Sequence, residues 1–419
     1  MECSTVLDEI EIPEGEGEKD VLVEEQEIKS LYARLKGVKD KRHRRGRRYE
    51  GAMLLVLILL AKLAGEKSML GVSEWVRYRK EWLKEALAWK REEFPCANTY
   101  TNLCENIEID ELNRCTGDFF AEKHVSVLVE AEQKNKTTDA SCENGVERGK
   151  EHLAKDGKSI RGSRRVSPER KEGLQVLGLY NVTYDFMLRQ TPIEGKGHER
   201  SAGLALLSDL DLRGTVVSAD ALHTQPKWCK KVLAQGGDYI AIAKGNQSEL
   251  YSDIALLFSH PPQEWLPEAQ ARTTEKAHGR LEIRHLRTSS QLNDYLADKW
   301  TGLQQVFSVE RRITRRGILS CETALGITSL PLSLLPAPDL LALVRAHWHI
   351  ENRSHWRRDV TLGEDDCKVS TGQVPRVLAS LNNAVLALFD FLHADNVASQ
   401  IRLFSASPQR ALDLLLNPL

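Results

Sequence analysis

The run Gly214-Thr215-Val216-Val217-Ser218-Ala219-Asp220-Ala221-Leu222-His223-Thr224-Gln225, continued by Asp238-Tyr239-Ile240-Ala241-Ile242-Ala243-Lys244, decides the class of fold. Residues 214–220 read as a strand, 226–235 as a helix opened by Pro226, and 238–244 as a second strand. Strand, helix and strand in alternation argue for an α/β domain. Asp220 then falls at the carboxyl end of its strand, where open α/β sheets gather their functional groups. Lys244-Gly245-Asn246-Gln247 adds a polar turn at the same sheet edge.

Working outward, strands are expected at 152–156, 174–181 and 183–190, with a helix at 199–210. Asp156, opening the motif Asp156-Gly157-Lys158-Ser159, also stands at a strand end, although Asp-Gly by itself is a turn signal. Downstream, 281–288, 305–314 and 319–328 read as strands, which gives a β-rich insertion at about 250–335. Residues 338–359 follow as a long helix with Asp339 able to cap its first turn, and 375–392 as another. The first of these helices carries His347-Trp348-His349-Ile350-Glu351-Asn352. Positions 347, 351 and 355 are four apart and 358 is seven beyond 351, so His347, Glu351, His355 and Arg358 form one polar stripe on a regular helix. Trp348 and Trp356 lie eight apart on a neighbouring face, as in a helix packed on both sides.

The 419 residues carry a net charge of −2, but the two signs are separated along the chain. Eleven acids and one lysine lie between Glu2 and Glu27, so 1–28 reads as an acidic disordered tail. Nine Lys or Arg then fall between Arg34 and Arg48, a basic arm that includes Arg44, Arg45, Arg47 and Arg48. Residues 29–135 read as short helices, a helical DNA-binding domain of helix-turn-helix type or a plain helical scaffold. Residues 136–150 read as a polar linker and 151–419 as the main domain. Eight scattered cysteines make no Cys-x-x-Cys pair, as expected of free thiols in a reducing compartment. The apolar run 52–61 is about half the roughly 20 residues of a membrane-spanning helix, so it reads as a core helix. With no secretory or transit signal, the expected location is the cytoplasm.

Asp156, Asp220 and Glu351 together suggest a divalent-metal site for phosphodiester chemistry, since hard cations take carboxylate oxygens. Basic groups accompany each acid: Lys158 and Arg161 after the first, Arg311, Arg312, Arg315 and Arg316 in the insertion, and Arg345, Arg353 and Arg358 around the third. His347, Glu351 and His355 as a zinc site is the rival reading, without the His-Glu-x-x-His spacing.

These motifs, with Arg161-Gly162-Ser163, Gly237-Asp238-Tyr239, His278-Gly279-Arg280, Glu282, Arg284, His355-Trp356, Asp359-Val360 and Glu364-Asp365-Asp366, resemble the DDE transposases of bacterial insertion sequences in the H-repeat-associated (ISAs-type) group. The resemblance covers roughly 30–395. It implies a ribonuclease H-like mixed sheet with flanking helices and a β-rich insertion, preceded by an all-α N-terminal DNA-binding domain. It further implies Asp156, Asp220 and Glu351 as catalytic, metal-binding residues for two Mg²⁺ ions, with Mn²⁺ able to substitute. The implied partners are double-stranded DNA, as terminal inverted repeats and target, and a second copy in a homodimer, nucleoid-associated when bound. Expected DNA contacts are Lys158, Arg161, Lys244, Asn246, Arg280, His347, His355, Trp356 and Arg358 with the arginines of the arm; a core position is the other reading of Trp356. Lys39-Asp40-Lys41-Arg42, Gly197-His198-Glu199, Val344 and His347 depart from the family pattern. Glu199 reads as a helix-start residue or an auxiliary acid. A non-catalytic DNA-binding descendant and a nuclease that never joins ends are the competing functions.

Overall fold

The computed structural model describes residues 30–138, 150–164, 173–193, 195, 198–260, 267–277, 279–394 and 396–417. The expected acidic tail 1–28, residues 139–149 of the expected linker, Gly197 and His278 lie outside the described residues.

A mixed sheet of nine strands organises the chain. Its strands are β1 Glu151–Ile160, β2 Leu174–Asn181, β3 Phe186–Ile193, β4 Thr215–Ala219, β5 Asp238–Ala243, β6 Ala269–Ala277, β7 Arg280–Ser289, β8 Gln305–Arg315 and β9 Ile318–Thr328. They lie in the order β3-β2-β1-β4-β5-β9-β8-β7-β6. β1, β4 and β5 are mutually parallel, and every other pair is antiparallel. The parallel strands are buried on both faces, as their apolar runs require, with all five residues of β4 inside.

The expected β-rich insertion lies within the same sheet. β9 pairs with β5, so the insertion continues the same sheet, and its far end leaves the core: residues 318–323 of β9 are exposed. Its outermost strand, β6, is absent from the sequence expectation because Ala-Gln-Ala-Arg-Thr-Thr-Glu-Lys-Ala has no apolar alternation. Only its ladder with β7 makes it a strand.

Residues 31–138 are helical, in the segments Leu31–Leu35, Gly51–Leu63, Met69–Tyr78, Lys80–Ala86, Ala97–Asn106 and Ile109–Thr138. They do not close a core of their own. Leu31, Leu55, Leu103 and Phe120 belong to one hydrophobic cluster with Leu153 and Val217 of the sheet and Leu381, Leu388 and Leu412 near the other end of the chain. Helix Gly51–Leu63 is the buried core helix expected, fully enclosed from Leu54 to Ala61. Polar ties reinforce the union: Lys62 Nζ donates to Asn382 Oδ1 at 2.8 Å, and Gln373 Nε2 donates to the carbonyls of Cys104, Glu105 and Ile107 at 3.1, 3.2 and 2.7 Å. Among the described residues no helix is long and apolar enough to cross a membrane, and the described cysteines are free thiols.

Candidate metal centre

Strands β1 and β4 stay in parallel register as far as the pair Lys155 and Ala219. Asp156 and Asp220 are the next residues, so they emerge side by side where the strands part. Asp156 is not at a strand end as expected, nor in a turn: β1 runs on to Ile160 along β2, with Asp156 opposite Gly178. Asp220 opens a tight turn in which its carbonyl accepts from the His223 N–H at 3.1 Å and from Thr224 Oγ1 at 2.9 Å. The polar turn after β5 pins this one from outside. Asn246 Nδ2 and Gln247 Nε2 donate to the Ala221 carbonyl at 2.7 and 3.0 Å, and Gln247 Nε2 also reaches the Thr224 carbonyl at 2.7 Å.

The turn swings His223 back over the aspartates. One ligand atom from each of Asp156, Asp220 and His223 lies within 4.8 Å of the others. His223 was not singled out from the sequence, although the three-residue step from Asp220 in Asp220-Ala221-Leu222-His223 was the available signal.

Glu351 arrives from the long helical segment, which is not regular. The α-helix Ala337–Ala346 gives way to π-helical turns at Ile350–His355 and Arg357–Thr361, where Leu362 N bonds the Arg357 carbonyl five residues back at 3.0 Å. A wider turn breaks the four-residue stripe. Glu351 remains exposed and near enough to act on both aspartates through its charge. His355 presents Nδ1 3.6 Å from Asp156 Oδ2.

Burial sets the electrostatics. The Asp156 carboxyl is pushed up to about 7 by burial, assisted by the charges of Asp220 and Glu351 and opposed by the Gly157 N–H. Burial raises Asp220 as well, against the His223 N–H, Lys244 and Lys155; Glu351, though its side chain is exposed, is raised by the partial enclosure of its carboxyl and by the charge of Asp220. Burial and the Lys155 charge drive His223 down to about 3, and His355 is held far below its ordinary value by burial, Arg358 and Lys158. The centre is thus acids that resist ionising beside imidazoles that resist protonation. A divalent cation satisfies both.

Beneath it, a hydrogen-bonded chain joins the three acid-bearing elements. His152 Nε2 and His347 Nδ1 each lie 2.7 Å from Ser218 Oγ, whose hydroxyl donates to the Leu153 carbonyl at 3.3 Å. His152 precedes Asp156 by four residues, Ser218 precedes Asp220 by two, and His347 precedes Glu351 by four. Burial pushes both rings down, to about 3 and about 4, so each is neutral and has one N–H and one acceptor nitrogen to offer.

Three residues expected on the DNA face are interior. His347 is held in this chain, which also dissolves the His347, Glu351, His355 zinc reading. Lys158 is buried in an ion pair with Asp359 at 2.5 Å. Arg358 is fully buried, its guanidinium on Glu364 at 2.7 and 2.9 Å. Arg161, Lys244, Asn246 and Arg280 are exposed. Trp356 and Trp348 are 57% and 52% exposed, so the helix is not packed on both sides and Trp356 is not a core residue. In the arm Arg44, Arg45 and Arg48 face solvent, whereas Arg47 folds back on the carbonyls of Asp40 and Arg42. Glu199 does start helix Glu199–Ala205, and with Lys155, His223 and Trp228 it lines a cavity of about 460 Å³ beside the centre.

Residues 147–388 match the family described as "Transposase DDE domain", and residues 32–120 match the one described as "DDE_Tnp_1-associated". YbfL of Escherichia coli K12 is 24% identical over 92% of this chain and 94% of its own length. "H repeat-associated putative transposase YhhI" of the same organism is 28% identical over 63% of this chain and 68% of its own. The solved piggyBac transposase synaptic complex with hairpin DNA covers 91% of this chain and 76% of its own at a TM-score of 0.40 and 9% identity. The family match spans more than half of the sequence, and the chain therefore belongs to the DDE transposases.

Proposed function

We propose that this transposase cuts DNA at the terminal inverted repeats of its element and joins the freed 3′-hydroxyl ends to target DNA, with Asp156, Asp220 and Glu351 holding two Mg²⁺ ions on a ribonuclease H-like core. Mn²⁺ can substitute. The observation that carries this reading is the half-buried pair Asp156 and Asp220 at the parting of two parallel strands, with no arginine or lysine ion pair on either carboxylate among the described residues. Carboxylates withdrawn from water otherwise come paired. The order β3-β2-β1-β4-β5, antiparallel then parallel, supports the core assignment.

When bound, the ions activate the attacking water or hydroxyl and stabilise the leaving oxygen of an in-line displacement. The protein's part is positional. Asp156 and Asp220 give oxygen ligands from strands whose spacing the sheet fixes, and Glu351 closes the set from the helical segment. Lys244, close enough to Asp220 to lower its affinity for protons, is the group that would meet a scissile phosphate. Arg161, Asn246 and Arg280 extend the DNA surface, and Trp356 offers an exposed ring to an unstacked base. Two element ends call for two active sites, hence a homodimer, working in the bacterial cytoplasm and at the nucleoid when bound.

The test is incubation of the full chain with Mg²⁺, linear DNA carrying the flanking sequences of its own gene, and a supercoiled target. Joined products are expected. Breakage without joining would make it a nuclease, and metal-independent end binding without breakage would make it a non-catalytic descendant.

The basic arm yields a separate expectation. Replacing Arg44, Arg45 and Arg48 by alanine should weaken DNA binding and flatten its salt dependence, by roughly 0.9 in log–log slope for each phosphate no longer neutralised. Point changes are preferable to deleting the arm, because Leu31 and Leu35 beside it belong to the core. An unchanged slope in a fluorescence-anisotropy salt titration would remove the arm from the interface.

A further inference from the structure

His223 is a buried imidazole without a hydrogen-bond partner. Its side chain is 3% exposed, its Nε2 stands 4.0 Å from Asp220 Oδ1, beyond hydrogen-bond distance, and among the described residues no group hydrogen-bonds the ring. One ring nitrogen lies within 4.8 Å of an oxygen of each of Asp156 and Asp220. His152 and His347, by contrast, are engaged by Ser218. A buried polar ring is expected to have a partner, and this one has two carboxylates converging beside it.

We propose that His223 is a direct nitrogen ligand of one of the two metal positions, making that position a mixed carboxylate–imidazole site selective for Mn²⁺ over Mg²⁺. The inference rests on the metal-centre reading above and adds to it. Mg²⁺ prefers oxygen donors and gains little from imidazole, whereas first-row transition ions gain substantially from it. A site of Asp156, Asp220 and His223 ranks cations differently from one built of carboxylates alone. The two positions then become chemically unequal, with Glu351 serving the one without the nitrogen.

The test is binding of Mn²⁺ and Mg²⁺ to the full chain by titration calorimetry, with electron spin-echo measurements on bound Mn²⁺. Wild-type protein should bind Mn²⁺ more tightly than Mg²⁺ and give the ¹⁴N modulation of a coordinated imidazole. His223→Ala should abolish the modulation and cut Mn²⁺ affinity by roughly tenfold or more, with a much smaller change for Mg²⁺. His355→Ala, which removes the nitrogen near Asp156, should leave the modulation in place. Absence of modulation in wild-type protein overturns the proposal without needing any variant, and so does modulation that survives His223→Ala. Asp156→Asn and Asp220→Asn separate the two levels. If they abolish binding while His223→Ala changes nothing, only the ligand assignment fails; if they leave binding intact, the metal centre itself is misplaced and the proposal falls with it.

Discussion

Asp156→Asn is expected to abolish DNA cleavage, on the order of 10³-fold or more, while making the metal-free protein more stable at pH 8. Both effects come from one carboxyl group. Burial, with Asp220 and Glu351 nearby, moves Asp156 from an ordinary 3.8 up to about 7. Below its unfolded value the group is protonated in both states and ionisation costs nothing. Between that value and about 7 the unfolded chain releases its proton while the folded chain keeps it, so stability falls as pH rises, and above about 7 the full penalty stands. That penalty is on the order of a few kcal/mol. Asparagine keeps the shape and removes the charge. The variant should therefore match wild type near pH 4 and exceed it at pH 8 in chelator, and metal should narrow the gap because only the wild type recovers stability by binding it. Urea unfolding at the two pH values, with and without Mn²⁺, measures this. A variant that is less stable at pH 8, or a difference independent of pH, would mean that Asp156 is a structural acid and not one held ready for a cation.

Asp156, Asp220 and Glu351 were legible in the sequence because each interrupts its surroundings with a charge that packing does not require. The alternation around 214–244 was legible too, as strand and helix follow from local pattern. What escaped reading was set by distant partners. β6 carries no apolar period and is a strand only through β7. The helices of 31–138 look self-sufficient in sequence, yet their apolar faces close against helix Val374–Phe391 and the C-terminal helix Pro408–Leu416. The π-helical turns defeated the four-residue stripe most completely. A regular helix would have put His347, Glu351, His355 and Arg358 on one face, and the wider turns send His347 to Ser218 and Arg358 into the interior. His223 was overlooked for the opposite reason: its spacing from Asp220 was local, but only the tertiary turn, held by Asn246 and Gln247, turns it onto Asp156.

Arg358→Met should destabilise the protein by about 3–5 kcal/mol, since breaking a buried pair strands its partner. The guanidinium is fully enclosed. Nε and Nη2 donate to Glu364 at 2.9 and 2.7 Å, and Nη1 donates to Gln190 Oε1 and Asn383 Oδ1 at 3.2 Å each. Glu364 also accepts from Asn382 Nδ2 at 2.9 Å. Burial raises Glu364, but Arg358, Lys158 and Asn382 outweigh it and hold the carboxyl below its ordinary range. Removing the arginine therefore leaves a buried carboxylate that must protonate or admit water. Arg358→Lys should recover only part of the loss, as one ammonium cannot reproduce the two-pronged contact and still reach Gln190 and Asn383. The double variant Arg358→Met, Glu364→Leu should be less destabilised than the sum of the two single changes, because neither charge is then left alone. Through Asn382 and Lys62 the same network reaches helix Gly51–Leu63, so its loss should loosen the N-terminal helices and the segment bearing Glu351 in one transition. A double-mutant cycle by urea unfolding decides the matter: an unfolding free energy untouched by Arg358→Met, with a shallower salt dependence of DNA binding in its place, would return this residue to the DNA surface.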